Sequence, residues 1–177
     1  RAFAEDVNAM LDMTAILERL VDQLREILAF DSAAAALVVD GEIRLEVLAE
    51  GETTHRRPFE EVDPPEASDS TALASLLESG EMQMVERVAS PGDRPEGLGD
   101  RTASWIGLPV GAQEKVDGLV VVGSDRAHHF DAADIEGALA YASQAGVAIA
   151  KARLATIDPL TGVYNRRKLF ELAEREF

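Results

Sequence analysis

The sequence predicts an α+β fold, an antiparallel sheet with flanking long N- and C-terminal helices and a short C-terminal helical tail. Three observations predict it. Apolar residues recur at helical spacing near both ends of the chain. Short β-prone runs separated by turn signals fill the middle, and Asp40-Gly41 between two of them marks a two-residue hairpin, whose turn needs positive φ at both positions. Hydrophobic residues make up 46% of 177 residues, enough to bury a core and too many for a disordered chain.

The first helix carries Met10, Met13, Leu17, Leu20, Leu24 and Ile27 at alternating steps of three and four. That spacing, roughly 3.5 residues on average, forms a coiled-coil seam. Leu11, Val21 and Leu28 make a second stripe on an adjacent face. One stripe can then bury in the domain while the other meets a partner helix. On that reading Met10, Leu17 and Leu24 are dimer positions; a single wide core-facing stripe is the alternative.

Strands are expected at 34–39 and 43–48, then a polar loop over 50–67 containing Pro58, Pro64 and Pro65. Ser68 or Ser70 can cap a short helix through Leu73, Leu76 and Leu77, and Gly80 supplies its left-handed stop. Residues 82–88 read as a third strand. Residues 90–100 hold two Pro and three Gly and read as a mobile surface loop. The runs 105–110 and 119–123 are the most apolar in the chain and are expected to be the two central strands.

Asp131 can cap the last long helix, with Asp134 as its capping-box partner. Ile135, Leu139, Ala142, Gly146 and Ile149 form one stripe of it. Ala138, Tyr141, Ala145, Ala148, Ala152 and Ala155 form another, whose small residues let a second helix approach closely, so Ala145 and Ala152 join the dimer positions. The order helix, two strands, helix, three strands, helix places the helices on one side of the sheet.

Composition excludes several functions. The chain has no cysteine, so it has no disulfide, no zinc-thiolate site and no thiol catalysis of its own; this fits a reducing cytosol and a cytoplasmic location. Its net charge of -16 repels polyanions, which argues against nucleic-acid binding. No apolar run approaches the roughly 20 residues that cross a bilayer. The chain begins at Arg1 without a signal-peptide pattern and ends in a helical run at Phe177, so it reads as an excised segment that leaves room for a membrane anchor upstream.

Element order and local wording from about residue 8 to 153 resemble a GAF sensor domain. The resemblance is carried by Leu77-Glu78-Ser79-Gly80-Glu81 before a strand, by Ser104–Val110 with Asp117-Gly118-Leu119-Val120-Val121-Val122, and by His129-Phe130-Asp131 leading into the exit helix. The tail Asp158-Pro159-Leu160-Thr161-Gly162-Val163-Tyr164-Asn165-Arg166-Arg167 is similar to the opening of GGDEF domains, D-x-L-T-G-L-x-N-R-R, with Val163 in place of the usual Leu. Residues 1–153 are thus read as sensor with entry and exit helices, and 154–177 as linker and truncated GGDEF start. Pro159 biases Asp158 away from helix, Gly162 permits a tight turn, and Thr161 or Asn165 can cap the next helix. Asp158, Thr161, Gly162, Asn165 and Arg166 make the signalling joint.

The resemblance implies a parent enzyme that condenses two GTP into cyclic di-GMP with Mg²⁺, while this chain carries no catalytic residue, metal or cofactor. It also implies a parallel homodimer through the end helices that sets how two GGDEF domains meet. A scaffold with a degenerate GGDEF domain is the alternative, and a different output such as a kinase is a third. A small-molecule pocket is expected around Trp105, Met82 and Met84 with the loops 50–67 and 90–103. Arg56 and Arg57, with His55, form a cationic cluster able to hold an anion; pairing with Glu60 and Glu61 is the alternative, as a core role is for Trp105. His128 and His129, adjacent in an extended segment, point opposite ways and are read as turn residues rather than metal ligands.

Overall fold

The computed structural model describes residues 2–56 and 71–156. Along the chain these form α1 (Ala2–Ile27), β1 (Ser32–Val39), β2 (Glu42–Glu50), β3 (Thr53–Arg56), α2 (Thr71–Ser79), β4 (Gln83–Val85), β5 (Ser104–Val110), β6 (Gly118–Ser124) and α3 (Ala132–Thr156). The six strands make one antiparallel sheet in the order β3-β2-β1-β6-β5-β4.

Strand β1 sits at the centre and contains Ala33-Ala34-Ala35-Ala36, a helix-prone run that tertiary context holds extended. Its alternation sorts the core into two layers. Ala33, Ala35 and Leu37 face α1 and α3, where Leu17, Leu20, Val21, Leu24, Ala138, Ala142, Ala145 and Ile149 close the larger layer. Ala34 and Ala36 face the other way, with Leu119 and Val121, against Leu73 and Leu76 of α2. The β1–β2 turn has the predicted hairpin geometry, with φ of 52° at Asp40 and 78° at Gly41. One residue is extra on β2 between the pairs Ala35↔Val47 and Ala36↔Leu45, a bulge that adds local twist.

The capping box of α3 forms on both sides. The Asp134 N–H donates to Asp131 Oδ1 at 2.9 Å, and the Asp131 N–H donates to Asp134 Oδ2 at 2.9 Å. The C-terminal half of α1 is tied to the sheet edge by Arg25. Its guanidinium donates to Thr54 Oγ1 at 2.7 Å and to Asp22 Oδ1 at 2.8 Å, and lies 5.5 Å from the Phe30 ring centre.

Several expectations are corrected. Strand β3 occupies part of the expected 50–67 loop, because Thr53-Thr54-His55-Arg56 pairs with β2. The third expected strand is only the three residues of β4. The central strands are β1 and β6, while β5 lies one place nearer the edge. The helices do not share one side, since α2 covers the face opposite α1 and α3. The expected loop at 90–100 keeps an exposed side but is laid on the sheet: it holds a 3₁₀ turn at Pro91–Asp93, buries Pro95, and brings Gly97 against Ala34. The caps expected at Ser68 and Ser70 lie outside the described residues.

Candidate functional site

Two places on this fold hold the residues on which function is expected to rest. The first is the chamber between the sheet and the α2-plus-loop cover. Small residues on the sheet let that cover come down hard. Gly97, at φ +90°, sits so close to the sheet that a Cβ on it would be 2.7 Å from Ala34 Cβ. A Cβ at Gly107 would stand 2.9 Å from the Trp105 ring and 3.0 Å from Leu76, and one at Gly123 would stand 2.8 Å from Thr102 Cγ2. The volume over these positions is taken by Leu76, Leu98, Thr102 and Trp105 of the chain itself. Trp105 is a core residue, 2% exposed, and its indole N–H donates to the Asp93 carbonyl at 3.0 Å, pinning the 3₁₀ turn to β5. Ser32 and Thr102 are buried beside it. The Ser32 hydroxyl accepts from the Gly99 N–H at 3.1 Å, and the Arg94 guanidinium donates to the Thr102 carbonyl at 3.2 Å.

The expected lining is not brought together. Met84 pairs with Ile106, whose side chain belongs to the helix-side core, whereas Trp105 pairs with Val85 and faces α2. Met82 packs on the helix-side core and Met84 is 37% exposed at the sheet edge. Arg56 is paired with Glu18 of α1 at 2.5 Å, while Glu60 and Glu61, the partners expected from sequence, lie outside the described residues. Arg57 lies outside the described residues. His128 Nδ1 is 3.5 Å from Glu86 Oε2, while His129 Nε2 meets the Ala29 carbonyl at 2.6 Å. The two rings share no partner. Among the described residues no cluster of three or more His, Cys, Asp or Glu is arranged to hold a metal. Trp105→Phe keeps most of the ring volume but strands the Asp93 carbonyl, and it should cost about 1–2 kcal/mol in urea unfolding.

The second place is the α1–α3 layer. Leu17 and Leu24 are fully buried in the domain's own core and Ala145 is 7% exposed, so these three dimer positions are corrected to core positions. Met10 and Ala152 are half-buried, Met10 against the same core. The wide single stripe wins on α1 because Val21 and Leu28, on the adjacent stripe, are buried as well. Asp158, Thr161, Gly162, Asn165 and Arg166 lie outside the described residues.

The exit helix is held by contacts that periodicity does not reveal. At Gly146 its backbone rests on the β5–β6 turn, where an added Cβ would be 2.2 Å from the Gly111 carbonyl oxygen. Two turns on, Arg153 pairs at 2.5 Å with Asp117, a carboxylate 3% exposed whose carbonyl also accepts from the Val38 N–H at 2.9 Å. The Asp117-Gly118 dipeptide and an isolated Gly in a helix are the sequence signals that mark this clamp. In the N-terminal half of α3, a groove of about 480 Å³ runs between that helix and the end of α1, lined by Ile27, Ala133, Asp134, Gly137, Ala140, Tyr141 and Gln144.

The fold is thus a six-stranded antiparallel sheet with two long helices on one face and α2 with the segment before β5 on the other. A family model for the GAF domain matches residues 10–150, and the chain belongs to that family. Solved structures share the fold. A methyl-accepting chemotaxis protein, residues 122 to 287, is 18% identical with a TM-score of 0.62, covering 81% of this chain and 92% of that one. The GAF domain of a two-component sensor histidine kinase from Bacillus halodurans is 15% identical with a TM-score of 0.58, covering 79% and 95%. A GAF domain/HD domain protein from Geobacter sulfurreducens is 16% identical with a TM-score of 0.55, covering 81% and 95%. No curated protein matches. Among the described residues no helix is long and apolar enough to cross a membrane.

Proposed function

We propose that this GAF domain is the regulatory sensor and dimerisation module of a diguanylate cyclase, a parent that makes cyclic di-GMP from GTP with Mg²⁺. The observation that carries the reading is the segment Asp158–Arg167, which follows the exit helix directly and reads like a GGDEF opening. The clamp supports it: Gly146 on Gly111 and Arg153 on Asp117 make the angle of α3 depend on the β5–β6 turn, which also belongs to the chamber's sheet. A change at the chamber then reaches the joint through a rigid element. The fold neighbours from a chemotaxis receptor and a histidine kinase are signalling proteins by name, which is consistent with a sensor role here.

One inserted residue between Ala152 and Asp158 rotates whatever follows by about 100°. In the longer protein, production of cyclic di-GMP from GTP should change severalfold on that insertion and recover when a full heptad is inserted. A parent that makes no cyclic di-GMP, or one indifferent to the insertion, overturns the reading. Mass spectrometry of the natively purified domain tests for a retained ligand.

A further inference from the structure

We propose that the groove between the end of α1 and the first half of α3 binds a small organic cation, a protonated amine on an aromatic or branched aliphatic body. The site lies on the helix side of the sheet, away from the chamber. Its wall on α3 is one helical face, since Asp134, Gly137, Tyr141 and Gln144 follow one another at steps of three and four. Its floor is Ile27, the last residue of α1, left 39% exposed while Leu24 and Leu28 on either side of it are buried. A volume of about 480 Å³ lies within the span of small-molecule sites.

Gly137 opens this groove where the fold does not require a glycine. Glycine inside a helix costs about 1 kcal/mol relative to alanine. At Gly146 the backbone of Gly111 leaves no room for a Cβ, whereas a Cβ at Gly137 would meet only Ile27 Cδ1, at 3.0 Å. What glycine preserves at 137 is the hollow over Ile27. Polar groups stand beside that hollow. Among the described residues, neither the Tyr141 hydroxyl nor the Gln144 amide hydrogen-bonds to another residue, so both are available to a ligand.

Charge selects the occupant. The Asp134 carboxylate lines the groove, and the exposed Glu26 and Glu136 adjoin its lining residues Ile27 and Gly137 in the chain. The C-terminus of α1 adds the negative end of a helix dipole at Ile27, while the positive end of α3 is already met by Asp131 Oδ1. The basic groups of the two helices stand elsewhere. Arg25 donates to Thr54 and Asp22 at the sheet edge, and Lys151 is two turns beyond Gln144. A cation gains the carboxylate and the Tyr141 ring, and its apolar body covers Ile27. Held there, it bridges the end of the entry helix to the start of the exit helix and stabilises the pair by mass action.

An NMR titration of the isotope-labelled chain with phenethylamine should move the backbone amide signals of Ile27 and of residues 133–144, with a dissociation constant of about 1 mM. Its neutral and anionic relatives, phenethyl alcohol and hydrocinnamate, should bind about tenfold more weakly or less. Asp134→Asn keeps an acceptor for the Asp131 N–H but removes the charge, and should bring the amine down to the affinity of the alcohol. Gly137→Leu should abolish binding by filling the hollow, and circular dichroism checks that both variants stay folded. Absence of shifts at about 20 mM amine, equal affinity for the three probes, or shifts confined to β5 and β6 would each overturn the proposal, as would amine binding that survives Gly137→Leu.

Discussion

Gly146→Ala should destabilise the domain by about 2 kcal/mol and lower the melting temperature by about 4–8 °C. Alanine is the better helix former by about 1 kcal/mol, so propensity alone predicts the opposite sign. Contact decides it. The new methyl would stand 2.2 Å from the Gly111 oxygen, 2.7 Å from its carbon and 2.8 Å from its nitrogen, all backbone atoms of a tight turn. Neither the turn nor the helix can yield by a side-chain rotation, so α3 must lift from the sheet and give up part of its packing along Ala142, Ala145 and Ile149. Gly137→Ala on the same helix is the internal control. Its methyl would meet only the tip of Ile27, at 3.0 Å, and that side chain is free to turn. The control should be neutral or stabilising by up to about 1 kcal/mol, and equal losses for the two variants would refute the clamp.

Much of this architecture is written in local pattern. The hairpin at Asp40-Gly41, the stop at Gly80 and the box at Asp131 and Asp134 each follow from a few neighbouring residues, and each appears where the chemistry of those residues puts it. What local pattern does not carry is which face meets which. On α1, Leu17 and Leu24 read equally well as a seam and as a core stripe, because a period near 3.5 cannot be told from 3.6 over six residues. On α3 alanine and glycine occupy the core-facing and flanking positions alike, so periodicity gives a weak preferred direction. The chamber was hidden for a related reason. Proline and glycine in 90–100 predict a loop but not its destination, and Gly97, at φ +90°, turns out to serve a close approach to the sheet as well as a left-handed turn. The pocket residues failed on a period-two detail: Met84 and Trp105 sit one register step apart on paired strands and so face opposite layers.

Leu24→Ala should cost the domain about 3 kcal/mol in urea unfolding, roughly 6–12 °C in melting temperature. Leu24 is fully buried against the sheet, among Leu20, Val21 and Leu28, and the hole left by truncation opens onto β-strands whose hydrogen-bonded ladder resists collapse. Val147→Ala is the contrast. At 47% exposure it loses little burial and gains helix propensity, so stability should move by less than about 0.5 kcal/mol in the same urea unfolding. The difference between the two variants measures burial alone, since each removes aliphatic carbon from a long helix. Equal losses at the two positions would mean that the assignment of Leu17 and Leu24 to the core is wrong.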